Sequence, residues 1–99
     1  MVLSDVFKAL ADPSRRQILN RLKRGPLSAG EISDGLEMSK PSVSNHLNLL
    51  KAAGLIASER NGQFIIYSLD ATAFEEAAAA MFELFAVNEQ SHQPERRPR

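Results

Sequence analysis

Residues 39–69 read SKPSVSNHLNLLKAAGLIASERNGQFIIYSL, and the punctuation of this stretch decides the fold. Ser39 is a preferred helix N-cap, and Pro41 is tolerated in a first turn, where a missing N–H costs little. Val43, Leu47 and Leu50 then recur at helical spacing. Gly54 suits the left-handed position that ends a helix. Leu55–Arg60 and Gln63–Leu69 are β-rich runs on either side of Asn61-Gly62. Asn-Gly in that setting predicts a hairpin, because both residues accept the positive φ of a type I′ turn. The reading is a capped helix, a sharp stop and a tight hairpin.

Upstream, Leu3, Val6, Phe7 and Leu10 fall on one side of a short first helix. Asp12-Pro13 opens a second helix, with Asp as N-cap and Pro at the first helical position. Ile18, Leu19 and Leu22 form its apolar stripe, and Gly25-Pro26 ends it. Ser28-Ala29-Gly30-Glu31 fits a capping box, so a third short helix is expected to run to about Leu36. Two short helices joined by a brief turn at Glu37-Met38 are a helix-turn-helix signal.

Downstream, Asp70 or Thr72 caps a last helix, with Thr72-Ala73-Phe74-Glu75 as a second capping box. Residues 88–99, NEQSHQPERRPR, hold no apolar residue and two prolines, the composition of a disordered tail. The expected organisation is one domain over 1–87, α-α-α-α-β-β-α, followed by that tail. The fold class is mainly α with a two-stranded β-hairpin: a winged helix-turn-helix that dimerises through its terminal helices.

Bulk properties exclude several classes. At 99 residues there is little room for a second core. No run approaches the roughly 20 apolar residues of a membrane span. The start, MVLSDVFKAL, lacks a basic n-region and carries Asp5, so a signal peptide is not expected and the expected location is the cytoplasm. Cysteine is absent, which removes disulfides and thiolate chemistry. The zero net charge is unevenly split. Residues 13–51 are net +4, from seven bases against three acids, while 61–95 are net −6 and hold no base. A neutral chain can therefore still show a positive face to a polyanion.

On a helical wheel, Val43, Leu47 and Leu50 form the buried side of the helix after Ser39. Pro41, Ser44, Asn45 and Asn48 point the opposite way, with Ser42 and Lys51 at the margins. Asn can pair bidentately with adenine, Lys reaches guanine or phosphate, and Ser adapts to either. The first turn, Ser39, Lys40, Pro41 and Ser42, adds backbone N–H groups and a positive dipole end for a phosphate. His46 lies between the faces and suits a partly buried structural role or a base contact. Arg60, Asn61, Gly62 and Gln63 form the hairpin tip, with Arg60 a natural phosphate or minor-groove contact. Arg15 and Arg16 admit two roles, an ion pair with Asp12 that holds the second helix or a phosphate contact.

The last helix is apolar on more than one side and needs two surfaces to cover it. One is its own domain. The other is expected to be a second copy, through Phe74, Ala77, Ala78, Met81, Phe82 and Phe85, with Val2, Leu3, Val6 and Phe7 of the first helix. A two-fold dimer would offer two recognition helices to half-sites about one helical turn apart on a pseudo-palindromic double-stranded operator.

The chain resembles the ArsR/SmtB superfamily of small winged-helix repressors. The resemblance is carried by FKALADPSRRQIL at 7–19, by Ser39 to Ile56, and by Gly62 through Tyr67-Ser68-Leu69, and spans about residues 4–87. The run Ser39 to Ser44, with Gly62-Gln63-Phe64 and Tyr67-Ser68-Leu69, is most similar to the SdpR type of autorepressor. The resemblance implies a homodimer that binds operator DNA and represses transcription. It also implies an effector, which nothing in the chain identifies. Many members sense metals, and here the chain departs from them. Glu31-Ile32-Ser33-Asp34-Gly35 offers no thiolate, and Asp70-Ala71-Thr72 lacks the first histidine of the Asp-x-His pattern. His92 and Glu95 keep His-x-x-Glu spacing beside Pro94, without partner ligands in register. No metal or cofactor is expected. The alternative is a winged-helix module that binds protein and no DNA. An enzyme is not expected, since no nucleophile–base–orienter set or Gly-rich phosphate loop is present.

Overall fold

The computed structural model describes residues 2–96, with side chains placed through Phe85. Its elements in chain order are α1 Leu3–Leu10, α2 Pro13–Leu22, β1 Leu27–Ser28, α3 Ala29–Ser33, α4 Lys40–Ala52, β2 Ile56–Asn61, β3 Phe64–Leu69 and α5 Ala71–Arg96. The fold is a winged helix-turn-helix, mainly helical, with the hairpin as its wing.

Local chemistry sets most boundaries. Asp12 Oδ1 accepts from the N–H of Ser14 at 2.7 Å and of Arg15 at 3.3 Å, and Pro13 opens α2. The Ser28–Glu31 capping box is closed in both directions, at 3.2 and 2.8 Å. The Ser39 hydroxyl accepts from Ser42 N–H at 3.2 Å and starts α4. Gly54 has φ +81° and stops α4, a left-handed conformation that L side chains avoid. For α5 the cap is Asp70, which accepts from Ala73 N–H at 3.1 Å, and the helix begins at Ala71, so Thr72 lies inside it.

Four features differ from the sequence reading. Leu27–Ser28 pairs antiparallel with Tyr67 and Ile66, so the hairpin is part of a three-stranded sheet ordered β1-β3-β2. A strand of two residues has no periodicity for a sequence to display. α3 ends at Ser33 instead of about Leu36, because Asp34 and Gly35 are poor helix formers. The hairpin turn is displaced by one residue: Asn61 pairs with Phe64, leaving Gly62-Gln63 as the two-residue loop. Only Gly62 has positive φ, +66°, which matches the φ signs of a type II′ turn and not type I′. The backbone of 88–96, read as a disordered tail, continues α5, while the side chains there, His92 and Glu95 included, lie outside the described residues.

The core is one cluster. Val6 and Ala9 of α1, Ile18, Leu19 and Leu22 of α2, Ile32 of α3, Val43, Leu47 and Leu50 of α4, and Leu55 and Ile56 at the start of β2 are buried together. Ala73 and Ala77 bring the first turns of α5 onto it, and Tyr67 and Leu69 pack on it from β3. Among the described residues no helix is long and apolar enough to cross a membrane.

Candidate nucleic-acid interface

α4 is positioned by its apolar stripe. With Val43, Leu47 and Leu50 each 2% exposed or less, the opposite side is turned outward. Lys40, Pro41, Ser42, Ser44, Asn45, Asn48 and Lys51 are exposed on α4. Arg60, Asn61, Gly62 and Gln63 are exposed at the end of the hairpin. Among the described residues, none of the polar side chains in these two sets makes a hydrogen bond or ion pair. Their donors and acceptors face solvent and are available to base edges and phosphates.

Arg15 and His46 make contacts within the scaffold. Arg15 Nε donates to Ala9 O at 2.9 Å and Nη2 to Lys8 O at 3.1 Å, which cap the last turn of α1. Nη1 lies 3.3 Å from His46 Nδ1 and 3.8 Å from Asp12 Oδ2. A guanidinium has donors only, so in this hydrogen bond His46 Nδ1 is the acceptor. His46 is half-buried, and this contact ties the recognition helix α4 to α2 and α1. Burial pushes the Asp12 carboxyl upward. The Ser14 and Arg15 N–H bonds outweigh it, with the Arg15 charge, and hold the carboxyl below its ordinary 3.8.

Two further arginines are similarly occupied. Arg16 Nη1 donates to Leu10 O at 2.7 Å, and Arg21 Nη2 to Glu31 O at 2.7 Å, which fastens α3 to α2. The positive character of 13–51 is therefore carried at the polar face by Lys40 and Lys51, while the arginines of α2 bind carbonyls. The N-terminus of α4 also offers less than its sequence suggests. Ser39 occupies the Ser42 N–H, and Pro41 has none. The arginine contacts are not legible in composition, because each depends on which carbonyl lies nearby, whereas the Ser39 cap and the missing Pro41 N–H follow from the sequence itself.

Sequence reasoning missed the apolar residues at the outer surface. Phe64 is 59% exposed and Ile65 41%, both next to the wing tip, and Leu49 on α4 is 45% exposed. They sit inside runs that read as strand or helix interior, so only the position of the core edge distinguishes them.

The second apolar surface is only partly as expected. Met81, Phe82 and Phe85 are exposed on α5, with Ala78 beside them, and Phe7 on α1 and Val2 just before it are exposed. Residues 78, 81, 82 and 85 follow helical spacing and form one outward stripe. Val6 and Ala77, expected at that surface, belong instead to the core of the chain, at 0% and 6% exposure. Leu3 and Phe74 are half-buried against the same core. The reason is rotational: α1 points Val6 and Ala9 inward, which turns the adjacent Phe7 outward.

Known proteins share this arrangement. The family model described as "Bacterial regulatory protein, arsR family" matches residues 12–58, from the α2 cap into β2. The transcriptional repressor SdpR of Bacillus subtilis (strain 168) is 49% identical over 75 residues, covering 76% of this chain and 83% of that protein. The HTH-type transcriptional regulator Rv2034 of Mycobacterium tuberculosis is 46% identical over 66 residues, 67% of this chain and 62% of that protein. Among solved structures, an ArsR-like transcriptional regulator from Rhodococcus sp. RHA1 superposes with a TM-score of 0.87 at 30% identity. That superposition covers 93% of this chain and 87% of the other.

Proposed function

The chain belongs to the ArsR family of bacterial transcriptional regulators and is not an enzyme, and from that premise we propose that it is a cytoplasmic homodimer that binds a pseudo-palindromic operator and represses its own or a neighbouring promoter. The observation that carries this reading is the uncommitted polar face of α4 beside an equally uncommitted wing. Asn45 and Asn48 read base edges, and Lys40, Ser42, Ser44 and Lys51 hold phosphates or adapt to bases. Arg60 to Gln63 lie along the neighbouring groove. The outward stripe of Ala78, Met81, Phe82 and Phe85 pairs with its copy, which would set two recognition helices about 34–36 Å apart, one turn of duplex. A cysteine-free chain cannot build a thiolate metal sensor, so the effector, where there is one, acts by other chemistry.

Salt titration tests the reading. For the full chain on duplex DNA, log affinity should fall linearly with log salt, and K40A, K51A and R60A should each reduce the slope by about two, one for each protomer. Absence of binding at low salt would favour a winged-helix module that docks on protein.

A further inference from the structure

The wing ends in an unusual pairing of residues. Its last two cross-strand pairs are Arg60 with Ile65 and Asn61 with Phe64. Directly opposed residues share a face of the sheet, so each face of the tip carries one polar and one apolar side chain. Phe64 is 59% exposed and Ile65 41%, whereas Tyr67 and Leu69 on the same strand pack against the core. Phe64 lies on the sheet face opposite Tyr67 and Leu69, so folding the domain gives it nothing to cover it. Asn61 shares its face, Arg60 projects from the other face beside Ile65, and Gln63 lies in the loop, and none of these three side chains has a partner among the described residues. Glu59 lies opposite Ile66, two pairs back from the tip on the face that carries Phe64.

Resting on the DNA-binding reading above, we propose that Phe64 is an apolar wedge: the wing enters the minor groove, Arg60 anchors on its wall, and the Phe64 ring inserts at a base step and kinks the duplex. An apolar side chain delivered into the minor groove beside an arginine unstacks a step and bends DNA by roughly 20–90° toward the major groove. A two-stranded tip is wider than an undistorted minor groove of about 6 Å, so the groove opens at the kinked step to admit it. The wedge adds sequence selectivity without a base-edge hydrogen bond. It favours pyrimidine–purine steps, which unstack most easily, at the position under the wing.

The test uses the full-length protein and a duplex selected by it from a random pool, with 2-aminopurine placed next to the wing-contacted step. The chain has no tryptophan, so the probe is read without that background. Wild-type protein should raise the probe fluorescence and shorten the end-to-end distance by energy transfer. F64A should abolish both signals and weaken binding about five- to 150-fold, the range for loss of an aromatic stacking contact. F64L should retain both, since leucine also serves as a wedge, and R60A should weaken binding while leaving the probe unstacked. An unchanged kink and fluorescence in F64A would overturn the wedge and leave DNA binding intact. Failure of the wild-type chain to select any duplex would overturn both readings. Loss of dimer in F64A by sedimentation, with DNA shape unchanged, would assign the apolar tip to a protein contact and also overturn the wedge.

Discussion

Arg15 is the residue on which the scaffold turns. It binds the last carbonyls of α1, the N-cap of α2 and a ring nitrogen on α4. R15A should loosen α4 relative to α2 and lower both melting temperature and DNA affinity, whereas a free phosphate contact would lower affinity alone. Asp12 gives the pH dependence. Its carboxyl is held below 3.8 in the folded chain, so its contribution is complete above the unfolded value and is lost as pH falls through the folded one. The melting-temperature gap between wild type and D12A should therefore be full near neutral pH and close below about pH 3.8. Asn45 faces outward without a partner. N45A should cost about 1–3 kcal/mol on the operator and relax preference at one base pair, while an equal loss on all sequences would make it a backbone contact. Gly54 at φ +81° forbids a Cβ without strain, and G54A should destabilise the fold by about 1–2 kcal/mol in thermal melts.

At the scale of elements, the recognition helix depends on its buried stripe. L47A removes a side chain 1% exposed and should cost about 2–5 kcal/mol in denaturant unfolding. The same helix shows what a sequence can carry. Its cap, its stripe and its stop are local, and Ser39, Val43, Leu47, Leu50 and Gly54 all stand where their spacing places them. The caps at Asp12 and Ser28 are legible for the same reason. β1 was not legible, because its existence rests on Tyr67 and Ile66, about 40 residues away, and not on any pattern in Leu27-Ser28. The turn type was misread because Asn61-Gly62 and Gly62-Gln63 both satisfy hairpin chemistry, and the strand register chooses between them. The carbonyl-bound roles of Arg15, Arg16 and Arg21 were illegible because their partners lie six or more residues away.

For the whole molecule, burial within one chain stops short along α5. Ala73 and Ala77 are covered, while Phe82, Leu84 and Phe85 are 72%, 56% and 57% exposed. Exposed large apolar side chains in a row mark an interaction surface. F82D should leave the core intact, convert a dimer to monomer in sedimentation, and sharply weaken operator binding by uncoupling the two half-sites. The central claim is sequence-specific, two-chain binding to an operator, and one measurement addresses it most directly. That is fluorescence anisotropy of the full chain on duplex from upstream of its own gene, beside a shuffled duplex of the same composition, at two salt concentrations. The expected result is tight, salt-sensitive binding at two chains per duplex, with the shuffled sequence much weaker. Equal affinity for both duplexes, or binding of neither at low salt, would contradict it.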